Sequence, residues 1–209
     1  MPRTRWCRSA PTERRRRSSI GTYFVAEFLK KHGLSLADVR YVELSFPNML
    51  PAFANGALDG AIMIDPFLSQ ALAAGVARLL SDPVELVPAG ASIVPLVFSE
   101  KSARNREVAQ AFMNAYVRGV RLHNDAFVKG RDKEKVIGII ARRAGIEPAL
   151  VRDGFLPALD PDQQLNKDFL KTVQAFFIAN DMLKAPADID RLVDPSFAAA
   201  AVATLGPYR

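Results

Sequence analysis

The sequence predicts an α/β fold: an open, mostly parallel sheet with its helices in the first half of the chain, followed by an almost wholly helical second half. Two patterns support this. Up to about residue 98, short β-branched or apolar runs alternate with amphipathic stretches that stop at glycine, whereas from residue 105 onward the apolar residues recur at helical spacing alone. The composition agrees, because 49% apolar and 24% charged residues in a chain of 209 describe a globular protein with a real core. That length admits one sizeable domain or two small ones.

The elements follow in order. Phe24, Val25, Phe28 and Leu29 lie at helical spacing between the cap-forming Ser18 and Ser19 and the stop at Gly33, which predicts a helix over 20–32. Residues 39–44 are β-branched and aromatic and read as a strand. A second helix starts after Pro47 and Asn48, carries Met49, Leu50 and Phe53, and ends near Asn55 and Gly56. The apolar run 61–64 has the pattern of a strand covered on both faces, and a helix over 66–74 stops at Gly75. Strand-like stretches recur at 76–80, 84–87 and 93–98. Beyond them, Val108, Phe112, Ala115, Tyr116, Gly119 and Val120 mark one stripe of a long helix over 105–123. Helices over 132–144, 147–154, 163–180 and 195–204 complete the chain. The outcome is one intact α/β lobe plus helices that belong to something else.

The net charge of +6 belongs to the N-terminus, since residues 1–20 hold seven arginines and one acid and the remainder is balanced. A like-charged block beside Pro and Ser reads as a disordered basic tail, and the neutral body shows no basic stripe for nucleic acid. The tail has the basic start of a secretory signal but no apolar stretch after it, and no run of 18 apolar residues occurs to span a membrane. Cys7 is the single cysteine, so no disulfide forms within the chain.

Catalytic patterns are scarce. His32 precedes a helix-stopping glycine and His123 continues the apolar stripe, so both read as structural, and no metal-ligand spacing, phosphate loop or nucleophile elbow is present. The predicted catalytic, metal and cofactor sets are therefore empty. Two loops carry the chemistry of a binding site instead. Ser18, Ser19, Gly21 and Thr22 open a helix with hydroxyls and free N–H groups, an arrangement that suits an anion and equally an ordinary cap. Ser45, Phe46 and Asn48 repeat this after the strand ending at Leu44. Asp59 reads as the turn into a strand, whereas Asp65 lies at a strand's carboxyl end, as either a ligand contact or a helix cap.

The order Ser19, Ile20, Gly21, Thr22, then Gly33 and Leu34, Asp38 and Val39, residues 42–44, residues 54–61 and Asp65, Pro66, Phe67 resembles the second lobe of the nitrate/sulfonate/taurine-type substrate-binding proteins of ABC importers. Residues 109–116, residues 175–177 and Leu183, and residues 192–197 resemble that family's C-terminal helices. The resemblance implies a type II periplasmic-binding-protein fold, represented here by one near-complete α/β lobe over 18–92 and a return to the other lobe over 93–209. It implies a ligand site formed by Ser18, Ser19, Gly21, Thr22, Ser45, Phe46, Asn48, Asp65 and Phe67. The implied ligand is a small anion such as a sulfonate, taurine or nitrate, or a thiamine-precursor-like heterocycle, handed to an ABC permease outside the cytoplasm. Family members begin with an export signal and several βα units ahead of this lobe. The Arg-rich residues 1–17 are therefore expected to be foreign to the family and the chain to be N-terminally truncated, with residues 93–98 short of sheet neighbours. The competing expectations are a pyrimidine-precursor synthase-like enzyme on the same fold, which the poverty of His and Cys opposes, and a cytoplasmic ligand-sensing module whose Arg tail meets DNA.

Overall fold

The structure, a computed structural model, describes residues 4–8 and 19–209. Helix α1 (Ile20–Lys31) begins at Ser19, whose Oγ accepts the Gly21 N–H at 3.2 Å and whose carbonyl accepts the Thr22 N–H at 2.9 Å. It ends at a left-handed Gly33 (φ 70°), where the Leu34 N–H reaches the Leu29 carbonyl at 2.9 Å and the Gly33 N–H reaches that of Lys30 at 3.1 Å. Only glycine takes that φ without steric cost, which is why the helix stops there. A short 3-10 turn, Leu36–Asp38, follows, closed by reciprocal Ser35 and Asp38 bonds.

The sheet has three strands, β1 (Thr4–Arg8), β2 (Val39–Glu43) and β3 (Gly60–Ala61), in the order β2-β1-β3 and all parallel. Thr4 stands opposite Val39 and Arg8 opposite Glu43, while Trp6 and Cys7 stand opposite Gly60 and Ala61. The central strand thus lies within the stretch expected to be a disordered basic tail, and that expectation is corrected at residues 4–8. The reason is that β2 and β3 pair with β1 and not with each other, so β1 supplies the partner that their backbone groups require. Charge composition does not report on that need. Residues 1–3 and 9–18 lie outside the described residues.

Helix α2 (Phe46–Ala54) follows β2, and α3 (Phe67–Ala73) follows β3. The strand residues alternate between two faces. Val39, Tyr41 and Ile62 pack with Val25 and Leu29 of α1, whereas Val42, Leu44, Ala61 and Met63 pack with Met49 and Ala52 of α2 and with Leu58. Helices α1 and α2 therefore cover opposite faces of the sheet. The other predicted strands do not form. Residues 84–87 fall largely in a 3-10 turn, Pro83–Leu86, begun by the Asp82 carboxylate on the Val84 N–H at 2.9 Å, and residues 76–80 and 93–98 are irregular. A β-branched run becomes a strand only where a neighbouring strand takes its backbone bonds, and Pro83, Pro88 and Pro95 remove donors there.

The chain divides into two units, the first being Met1–Ala89 with Asp153–Phe155 and Lys171–Pro186, and the second Gly90–Arg152, Leu156–Leu170 and Ala187–Arg209. Residues 171–186, expected with the second portion, fold with the first because Phe176 and Met182 pack on the α1 cluster. The second unit contains α4 (Glu100–Arg104), α5 (Arg106–Phe127), α6 (Lys133–Ala144), α7 (Pro148–Arg152), the start of α8 (Lys167–Ala179), α9 (Ile189–Leu192) and α10 (Ser196–Leu205). In α5 the buried stripe is Ala109, Met113, Val117 and Val120, while Val108 and Phe112 of the predicted stripe are 62% and 49% exposed. The stripe is shifted because α10, with Phe197 and Ala201, packs on Ala109, Met113 and Val117. A smaller core joins Ile137 and Ala141 of α6 to Val151 of α7. No described helix is long and apolar enough to cross a membrane.

Candidate functional site

Because the three strands are parallel, their carboxyl ends share one edge of the first unit. The Ser19 cap, the Ser45 loop and the Ile62 to Phe67 loop all follow strands that end there. In the order β2-β1-β3 the chain steps from β1 to one side, to β2, and then crosses back past β1 to β3, so the β1/β3 boundary is the switch point, outside which ligands of open α/β sheets sit. Two of these loops meet at this boundary: a Cβ placed on Gly21 would lie 3.6 Å from Ile62 Cγ2 and 3.5 Å from Ser19 Oγ. A side-chain carbon at residue 21 would thus be in ordinary contact with the exit of β3, which places the helix start beside it.

Thr22 is 2% exposed and belongs to the packed side of that helix turn. The neighbouring Tyr23 sits edge-on to Phe176, with ring centroids 5.3 Å apart. Burial, with a smaller contribution from Glu27, pushes its phenol above the ordinary range and keeps it neutral. Ser45 and Asn48 are exposed at the start of α2, and Ser45 gives no side-chain cap. Phe46 and Phe67, the first residues of α2 and α3, are both half-buried and stacked, with centroids 5.9 Å apart and planes 12° from parallel.

Asp65 precedes a cis peptide bond to Pro66. Its Oδ1 accepts the Ser69 N–H at 3.0 Å and the Ser69 hydroxyl at 2.7 Å, and its Oδ2 accepts the Phe155 N–H. Between ligand contact and cap, the two readings open at this residue, the geometry supplies the cap: one oxygen serves the first turn of α3 and the other holds residues 153–155, which belong to the same unit.

Of the nine predicted residues, Ser18 lies outside the described ones. The structure brings Phe46 against Phe67 and gathers Ser19, Gly21 and Thr22 in the helix turn that meets Ile62. No hydrogen bond among the described residues joins the Ser45 or Asn48 side chain to the others. The sequence reading missed Ile62 and Ser69. The spacing Asp65 to Ser69, a carboxylate four residues ahead of a hydroxyl across a helix start, was a visible signal for the second, whereas nothing local marked the first. Among the described residues, no cluster of three or more His, Cys, Asp or Glu is placed to hold a metal.

The model of the NMT1-like family matches residues 16–141. The chain belongs to the NMT1-like family. Solved structures show the fold of this NMT1-like chain. The alkanesulfonate-binding protein SsuA from Xanthomonas axonopodis pv. citri, bound to MOPS, superposes with a TM-score of 0.62 at 23% identity, over 95% of this chain and 62% of that one. The periplasmic aliphatic sulphonate binding protein SsuA from Escherichia coli gives 0.63 at 19% identity, over 93% of this chain and 63% of that one. A DSZB mutant in complex with biphenyl-2-sulfinic acid gives 0.54 at 20% identity, over 84% of this chain and 58% of that one. The NMT1-like chain thus spans about three fifths of the length of these structures and has the type II periplasmic-binding-protein fold, as its one α/β lobe and C-terminal helices predicted. No curated protein matches its sequence.

Proposed function

We propose that this chain is the solute-binding component of an ABC importer, or a large part of one. It captures a small anion of the sulfonate, taurine or nitrate type without covalent chemistry and hands it to a membrane permease outside the cytoplasm. The observation that carries this reading is the switch-point edge of the parallel sheet, where the N-terminus of α1, opened by Ser19 and Gly21, abuts the exit of β3 at Ile62. A helix start at such an edge turns the positive end of the helix dipole toward an anion, while the Gly21 and Thr22 N–H groups are taken by Ser19 in this structure. The SsuA proteins that share the fold bind alkanesulfonates and aliphatic sulphonates, which supports the ligand class. In this reading the first unit is the α/β lobe, and its candidate contacts are Ser18, Ser19, Gly21, Thr22, Ser45, Phe46, Asn48 and Phe67, with Asp65 fixing the loop between them.

The test is differential scanning of the purified chain against MOPS, taurine, nitrate and an aminopyrimidine. A ligand at about 100 times its dissociation constant stabilises by about 2.7 kcal/mol. At about 2–4 °C per kcal/mol for a chain of this size, melting rises by about 5–11 °C. A melting temperature unmoved by every compound refutes the proposal.

A further inference from the structure

Helix α5 is apolar on two sides, and one of them is uncovered. Ala109, Met113 and Val117 pack against α10, whereas Val108, Ala111, Phe112, Ala115, Gly119 and Leu122 are all exposed. At 3.6 residues per turn these exposed residues fall within about 100° of arc on the side away from α10, with no polar residue among them. The apolar surface continues onto Phe98, whose ring stands edge-on to that of Phe112 with centroids 5.8 Å apart. A continuous exposed stripe of this kind marks an interaction surface.

We infer that the stripe is a self-association surface, on which a second copy of this chain lays its own α5 antiparallel about a two-fold axis. The sizes of the side chains point to this occupant. An axis crossing α5 between Met113 and Asn114 sets Val108 level with Gly119 of the second copy and Phe112 level with Ala115, and then the reverse, so each large side chain faces a small one. A Cβ added at Gly119 would find nothing within 4 Å, so the space for Val108 is open. The same axis brings charges into register. Glu107 and Arg118 are exposed on one flank of the stripe, about 16 Å apart along the helix, and so cannot meet within one chain. In the antiparallel pair, Arg118 of each copy falls within about 3 Å of rise of Glu107 of the other, on the same flank. A helix face about 21 Å long and about 10 Å wide is well short of the ~800 Å² per partner of a standard interface, so the dimer is weak, with a dissociation constant of about 10–100 µM.

Sedimentation velocity of the full chain across that concentration range tests the inference, and the dimer fraction is expected to rise through it. Gly119→Leu fills the space that Val108 needs while improving the helix propensity of its own chain, so association should weaken at least about tenfold with no fall in melting temperature. Arg118→Glu should weaken association about fivefold, and adding Glu107→Arg to it should restore the native value. A monomer at every concentration, a dimer indifferent to Gly119→Leu, or a charge exchange that fails to restore association overturns the inference. So does a monomer whose Ala115→Cys thiol resists alkylation, because another part of the same chain then covers the stripe.

Discussion

Replacing Asp65 separates a structural carboxylate from one that meets ligand. In Asp65→Ala the first turn of α3 loses the acceptor of the Ser69 N–H and hydroxyl, and the Phe155 N–H loses its partner. Loss of a capping side chain costs about 1 kcal/mol. The two remaining bonds end on a half-buried carboxylate, where water takes over part of each, so about 0.5 kcal/mol apiece is the appropriate scale. The sum is about 2 kcal/mol, or about 4–8 °C in melting temperature. Asp65→Asn keeps an acceptor for Ser69 but can turn its amide toward the Phe155 N–H, where two donors oppose each other, and it is expected to lose about half as much. Scanning calorimetry with and without saturating sulfonate provides the assay: both variants melt lower, yet each keeps the ligand-induced rise. An unchanged melting temperature together with loss of that rise would refute the cap and make Asp65 a ligand contact.

Three further outcomes are expected. Gly21→Ala adds a Cβ that finds ordinary contacts at 3.5 Å and 3.6 Å, so it stabilises by about 0.5–1 kcal/mol through helix propensity, and a fall in the urea midpoint would show the site is tighter than its geometry. Arg121→Met removes a side chain that is 11% exposed and that donates to the Pro161 and Gly206 carbonyls and to Asp162; chemical denaturation should show a loss of about 2–3 kcal/mol, and a loss below 1 kcal/mol would contradict its role in tying the chain end to α5. Bonds from Lys129 and then Tyr208 hold the Asp125 carboxyl below its ordinary range. A lowered folded-state pKa contributes stability that is present above the ordinary carboxyl pKa of about 3.9 and lost as pH falls through the folded value. The melting temperature of the native chain should therefore fall more steeply below pH 4 than that of Asp125→Asn, and parallel curves would refute the contribution.

What could be read from the sequence alone was whatever neighbours along the chain determine. Ser19 and Gly33 bound α1, and Gly145 closes α6, because caps and left-handed turns are set within a few residues. The cap and helix-start residues Ser19, Gly21, Ser45 and Asp65 stood out for the same reason. Pairing and facing were decided only in three dimensions. Thr4–Arg8 became the central strand because β2 and β3 both needed a partner, residues 93–98 remained irregular although their composition is that of a strand, and the buried stripe of α5 moved off Val108 and Phe112 to meet α10. The nearness of Gly21 to Ile62 and the contacts of Phe46 with Phe67 and of Asp65 with Phe155 likewise join separate loops. Local sequence sets the conformations a segment favours, whereas backbone pairing and side-chain burial depend on partners distant in sequence, which only the folded chain brings within reach.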